Sequence, residues 1–167
     1  SSEEVWGYAQ RFGEWREYEH RVAVEVPSSS TFAKVKETKT TLVPFGVTIE
    51  SVRRLVDPQV TDAAKMEAWA SATAANHSGD GGKGGADSVL RRKAGDVLYD
   101  LVFKGYLKGV WGVDPEMLDP SVIQDIPAVS DWDDRRYPND MYQGYPSQGF
   151  TRLFESMLSH PKITLKL

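Results

Sequence analysis

The 167-residue sequence contains no cysteine, which excludes a disulfide framework and any thiolate metal site. Histidine is scarce too. His20, His77 and His160 lie far apart and no His-Glu-x-x-His occurs, so a histidine-based zinc site has no basis in the sequence. No apolar run reaches the roughly 18 residues that a membrane-spanning helix needs, so none is expected. An excess of basic charge is also missing. With 20 Lys and Arg against 24 Asp and Glu, the formal net charge is -4, which argues against a nucleic-acid binder. A small anionic ligand stays open, because a local arginine cluster can bind one. Neither Gly-x-Ser-x-Gly nor Gly-x-Gly-x-x-Gly is found, so there is no sign of a serine nucleophile elbow or a dinucleotide fingerprint. The start, Ser1-Ser2-Glu3-Glu4, lacks the charged and apolar blocks of a signal peptide. Together with the missing cysteine, this fits a cytoplasmic protein.

What is present is a globular balance. Hydrophobic residues make up 40% and charged residues 26%, a mixture typical of globular proteins. A chain of this length forms one unit by default and can bury its own core. Val5, Tyr8, Ala9 and Phe12 recur at helical spacing over 4–12. Over His20–Val26 the valines at 22, 24 and 26 alternate with Arg21, Ala23 and Glu25, the pattern of a half-buried strand. Further short strands are expected at Thr31–Lys36 and Lys39–Val43. Thr48 reads as a helix N-cap ahead of an apolar face of Ile49, Val52 and Leu55 or Val56. Thr61 or Asp62 reads as the cap of an alanine-rich helix running to Ala75.

Asn76–Gly85 has five glycines in ten residues, so it cannot offset its ordering entropy by burial. A flexible loop is expected over 76–87. Lys83 is followed by Gly84 and not by Ser or Thr, which leaves a phosphate-binding loop without support. Ser88–Tyr106 is the clearest helix, its apolar stripe formed by Leu90, Ala94, Val97, Leu98, Leu101 and Val102. Gly105 and Gly109 weaken its end and would admit a close backbone neighbour. Ser147 can cap a last helix over 149–159, and Ile163, Leu165 and Leu167 alternate as a strand. The chain stops inside that strand pattern, so a fragment of a larger polypeptide is expected. The fold class is therefore α+β. Residues 13–47 and 162–167 would form the antiparallel sheet part, and 48–160 a mainly helical part, in a single piece spanning 1–167.

Chemistry concentrates late in the chain. Phe103, Lys104, Tyr106 and Trp111 crowd the end of the main helix, and Trp132, Arg135, Arg136, Tyr137 and Tyr142 follow. Aromatic faces can stack on a base or sugar, and a guanidinium can bind a diphosphate. The same aromatics could equally close a core, and composition alone leaves both readings open. The acidic group Asp131, Asp133 and Asp134 lacks EF-hand spacing and reads as a solvated loop.

Several of these residues stand in a specific order. Lys104-Gly105-Tyr106 is followed by Trp111, then by Ile126-Pro127, Asp133–Tyr137 and Tyr142-Gln143-Gly144-Tyr145-Pro146-Ser147-Gln148-Gly149-Phe150-Thr151. Near the start come Val5-Trp6-Gly7-Tyr8, Phe12 and Tyr18-Glu19-His20-Arg21-Val22. This order resembles the UDP-galactopyranose mutases over nearly the whole chain, most weakly across Pro27–Lys39 and Ala63–Gly85. The resemblance implies a flavoprotein of three parts that interconverts UDP-galactopyranose and UDP-galactofuranose with reduced FAD as nucleophile. This chain would supply the helical substrate-side part and some of the sheet. FAD would then belong to the full-length parent, an isomerase, with none bound to this chain, which would be inactive alone. UDP-sugar is the implied partner, and a homo-oligomer is compatible with it.

By the same resemblance Tyr106 packs on the uracil and Phe103 helps to line that pocket. Trp111 lies near substrate and a mobile loop, and Tyr137 reaches the diphosphate. One departure stands out. The family carries a diphosphate-binding arginine just before Ile-Pro or Leu-Pro, and this chain has Asp125 there. A reversed charge at such a contact costs roughly 2–5 kcal/mol. Either Arg135 or Arg136 takes over, or the parent is a divergent flavoprotein with another substrate, or a non-catalytic binding module.

Overall fold

A computed structural model describes residues 2–27, 40–77, 84–128 and 130–166. The strand expected at Thr31–Lys36 lies outside the described residues, as does most of the glycine-rich stretch. The chain is α+β, with helices predominating and short antiparallel strand pairs. Where the sequence suggests one continuous piece, it divides into two compact units. The first comprises Ser1–His20 with Tyr137–Leu167, and the second Arg21–Arg136.

The second unit holds the main core. Strands β2 (Ala23–Pro27) and β3 (Thr40–Pro44) pair antiparallel, Val24 opposite Val43. The expected alternation holds, with Val26 and Val43 buried and Ala23, Glu25 and Leu42 outward. Phe45 and Val47 then enter the core and lead into helix α2 (Ile49–Leu55). Thr48 caps α2 as its position suggests. Its hydroxyl accepts from the Ser51 N–H at 3.1 Å, while Ser51 Oγ accepts from the Thr48 N–H at 2.9 Å. Helix α3 (Ala63–Asn76) starts at Asp62, whose carboxylate accepts from the Lys65 N–H.

The helix expected over Ser88–Tyr106 is not continuous. Helix α4 (Ala86–Leu98) kinks at Gly95, whose φ of 69° and ψ of 166° no helix contains. A π-helical turn, Tyr99–Phe103, follows, and helix α5 (Lys104–Trp111) completes the run. The wider turn carries more residues per revolution than an α-helix. Of the expected stripe Leu90, Ala94, Leu98 and Val102 are buried, Tyr99, Phe103 and Leu107 join them, and Val97 is 40% exposed. Gly105 and Gly109 sit inside α5 with open space where a side chain would stand, so no close neighbour needs them. Gly112, left-handed at φ 71°, ends the helix.

In the first unit, helix α1 (Glu3–Gln10) precedes strand β1 (Trp15–Glu17), which pairs antiparallel with β4 (Gly144–Pro146). Three residues are too few to show a strand signature in sequence, and β4 falls within 48–160, the span expected to be mainly helical, ahead of the helix expected over 149–159. Gly144 has a packing reason: a Cβ there would meet the Trp6 ring and the Arg16 carbonyl, each at 2.7 Å. Helix α6 (Phe150–Leu158) buries Leu153 and leaves Phe150, Phe154 and Leu158 exposed. Among the described residues 162–166 of the strand expected over 162–167, no strand pairing is found. A lone alternating terminus has no ladder to join.

Candidate functional site

In the second unit, Phe103, Tyr106 and Arg136 gather around Phe45. Its ring meets Phe103 edge-on, with centroids 5.5 Å apart at 73°, and Tyr106 at 4.6 Å. Phe103 is fully buried, so it supports Phe45 from beneath and presents no face to a ligand. Tyr106 is 40% exposed and keeps a ring face available. The Arg136 guanidinium lies 5.3 Å from the Phe45 centroid, a distance at which a cation gains from the ring's quadrupole. Its Nη1 donates to the Asp125 carbonyl. The structure thus sets an aromatic face and an arginine head on the same phenylalanine.

The segment carrying Asp125 is docked through its backbone. The Pro127 carbonyl accepts from the Val47 N–H at 2.8 Å, and Val47 bridges Ala128. Gly46, at φ 149°, is needed here, because a Cβ would stand 3.1 Å from the Pro127 carbonyl. Asp125 itself is exposed. Its carbonyl holds Arg136, so the loop that lacks the expected arginine is the one that anchors another.

Arg135 is used differently. Its Nε donates to Asp133 at 2.9 and 3.0 Å, and the Arg135 N–H donates to the same carboxylate. This grip holds the Asp133 carboxyl down at about 2. Asp134 pairs with Arg21, and Arg53 lies over the exposed Trp132 ring at 5.6 Å. Arg135 therefore braces the acidic loop, and Arg136 is the arginine beside the aromatic face. Trp111, 49% exposed, stands on α5 five residues beyond Tyr106. At about 100° per residue the two point about 140° apart, so they do not share a face.

The first unit holds the remaining site residue. Tyr137, 39% exposed, stacks on His20 with centroids 5.8 Å apart at 18°. His20 also shares a 3.2 Å hydrogen bond with the Tyr18 hydroxyl. These rings border a groove of about 560 Å³ whose other walls include Trp6, Trp15 and Tyr142. Trp6 stacks on Tyr142 at 19°, and Trp15 Nε1 donates to the Ala9 carbonyl. Gln143 is a post: its amide nitrogen donates to the Tyr137 and Asp140 carbonyls, and its oxygen accepts from the His20 N–H. The resemblance gives a ligand role to Tyr137 and to no other residue of this groove, although the sequence places Tyr142 in the same aromatic cluster. The motifs Val5-Trp6-Gly7-Tyr8 and Tyr18-Glu19-His20 carried a usable signal, but pairing with Tyr142–Tyr145 is needed to show it.

A flavin dinucleotide needs a glycine cradle between a strand and a helix N-terminus. The nearest arrangement among the described residues is β4 followed by Gly149 and α6. There the Gly144 Cβ position is filled by Trp6 and Arg16, and the adjoining hollow carries Glu14 and Glu155 against one cation, Arg152, which is paired to Glu155. The residues present do not fit the diphosphate, and no step is assigned to a flavin here.

Comparison with known proteins adds an independent finding. Residues 101–167 match the family model described as UDP-galactopyranose mutase. All six residues singled out above, Phe103, Tyr106, Trp111, Arg135, Arg136 and Tyr137, fall within it. A probable UDP-galactopyranose mutase of Klebsiella pneumoniae is 37% identical over 76 residues, covering 46% of this chain and 20% of the relative. A dTDP-fucopyranose mutase of Escherichia coli is 38% identical over 73 residues, covering 44% and 19%. A UDP-galactopyranose mutase of Mycoplasma genitalium is 31% identical over 81 residues, covering 48% and 20%. The matched stretch thus spans no more than 20% of the length of each of these relatives.

Proposed function

We propose, from the match of residues 101–167 to the UDP-galactopyranose mutase family model, that this chain is the substrate-side part of a flavin-dependent nucleotide-sugar mutase. The observation that carries the reading is the half-exposed Tyr106 ring seated on Phe45 with the Arg136 guanidinium alongside. Tyr106 takes the flat face of a pyrimidine, and Arg136 meets the diphosphate next to it. In this reading Arg136 does what the family's loop arginine does, which accounts for the tolerance of Asp125. Tyr137, in its own groove, is a second ligand-facing hydroxyl. The parent reaction is the interconversion of UDP-galactopyranose and UDP-galactofuranose, and the chain by itself turns nothing over.

A second reading changes only the ligand. The dTDP-fucopyranose mutase matches as well as the UDP-galactopyranose mutase does, and a tyrosine face stacks on thymine as readily as on uracil. Calorimetry with UDP and with dTDP decides between them and tests both. Stacking on an aromatic side chain is worth about 1–3 kcal/mol, so Tyr106→Ala is expected to weaken the preferred nucleotide by about 5- to 150-fold. Wild-type chain that gives no heat with either nucleotide, or a Tyr106→Ala chain that binds unchanged, overturns the proposal.

A further inference from the structure

Gly46 stands between the two halves of the aromatic site. It follows Phe45 in the chain, and it lies against the segment that holds Arg136. Its φ of 149° falls where side chains are rarely tolerated. A Cβ there would stand 3.1 Å from the Pro127 carbonyl oxygen and 3.3 Å from Pro127 Cβ. The Gly46 and Pro127 backbones therefore meet at a separation that leaves no ordinary room for a side chain.

Both sides of this contact are fixed. On one side the buried Ser51 Oγ donates to the Gly46 carbonyl at 2.7 Å, and the Phe45 N–H donates to the Val22 carbonyl at 2.8 Å. On the other side Ile126 is buried, and its N–H donates to the Ile123 carbonyl at 3.1 Å. The Val47 N–H joins the two sides at the Pro127 carbonyl. Two residues before Pro127, the Asp125 carbonyl accepts from Arg136 Nη1. The Arg136 guanidinium then returns to the Phe45 ring. The contacts close a circuit that runs from Phe45 through Gly46, Pro127, Asp125 and Arg136 back to Phe45. Asp125 takes part through its main chain, so its carboxylate is not part of the grip on Arg136. Ordering a long side chain costs free energy. An arginine held in advance by a fixed carbonyl and a ring thus binds an anion more tightly than a mobile one.

We infer that Gly46 is a positioning residue for Arg136, and that this backbone contact sets the preference for a nucleoside diphosphate over the bare nucleoside, which rests on the mutase reading in one respect, that Arg136 meets the diphosphate while Tyr106 meets the base.

Calorimetry on the 167-residue chain compares UDP with uridine and dTDP with thymidine. The affinity ratio within each pair reads the diphosphate, because stacking on Tyr106 cancels. Arg136→Met is expected to lower the ratio of the preferred pair by about tenfold or more, the worth of charge-assisted hydrogen bonds. Gly46→Ala is expected to lower it as far, and the double variant no further than either. A second readout needs no nucleotide. The Arg136 Nε–H proton resonance, shifted upfield by the Phe45 ring, is expected to move in Gly46→Ala toward its position in Phe45→Leu. Circular dichroism checks the fold. If Gly46→Ala does not fold, Pro127→Gly takes its place in both readouts, since it loosens the segment without a clash. A Gly46→Ala ratio like that of wild type overturns the inference. So does an equal loss of nucleoside and diphosphate, or losses that add in the double variant. A wild-type chain that binds none of these ligands overturns the mutase reading and the diphosphate role of Gly46 together. The resonance tells that failure from the other: an Arg136 signal that Gly46→Ala leaves in place overturns the positioning itself, whatever the nucleotides do.

Discussion

Asp133 shows how one residue's surroundings become a measurable property. Three donors from Arg135 converge on its carboxylate, one from the backbone and two from the guanidinium. They hold its carboxyl at about 2 in the folded protein, below the ordinary value of 3.8. A carboxyl with a lowered folded value contributes stability above the unfolded value and loses it as pH falls through the folded one. The contribution is therefore complete above about pH 4 and gone below about pH 2. Urea unfolding of Asp133→Asn across pH 2 to 6 is expected to show a flatter acid limb than wild type, and parallel limbs would contradict it. Arg136, the next residue, has a different task, and only the structure separates them. As a sequence, Arg135-Arg136 is a pair of equivalent cations; which one braces the loop depends on Asp133 lying two residues back and Phe45 lying far away in the chain.

At the scale of elements, the run from Ala86 to Trp111 carries most of the interest. Gly95 has a backbone conformation that is essentially restricted to glycine, and a Cβ there would stand 3.4 Å from Thr73 Cγ2. Gly95→Ala is expected to destabilise the protein by about 1–3 kcal/mol, read as a lower urea midpoint at unchanged slope. An unchanged midpoint would show that the kink is not required. This run also marks how far the sequence could be read. The caps at Thr48 and Asp62 and the alternation through Val24 and Val26 are local signals, and they appear where expected. The stretch Ser88–Tyr106 reads as a helix but not as a bent one. An apolar periodicity is averaged over several turns, and one wider turn shifts it by a single position. Within the wider turn Phe103 is buried, and Tyr106 just beyond it is 40% exposed. Strands β1 and β4 escaped notice because each is three residues long and each finds its partner more than a hundred residues away.

At the scale of the whole molecule, the two units are unequally furnished. Among the described residues the buried apolar cluster belongs to Arg21–Arg136. In the other unit Leu153 is the buried large apolar side chain, supplemented by the tilted and stacked contacts of Trp6. Local stability follows buried apolar contact. Hydrogen exchange followed by mass spectrometry is therefore expected to show faster exchange in β1, β4 and α6 than in α2 and α4. Equal protection would mean that the units open together. The π-helical turn at Tyr99–Phe103 carries a last consequence, for how such a protein can change by descent. Its extra residue sets the rotation of everything after it, at about 100° per position. Deleting one codon there would swing Tyr106 away from Phe45 while leaving every site residue in the sequence. A lineage could silence this face, or redirect it, without substituting any residue that an inspection of motifs would watch.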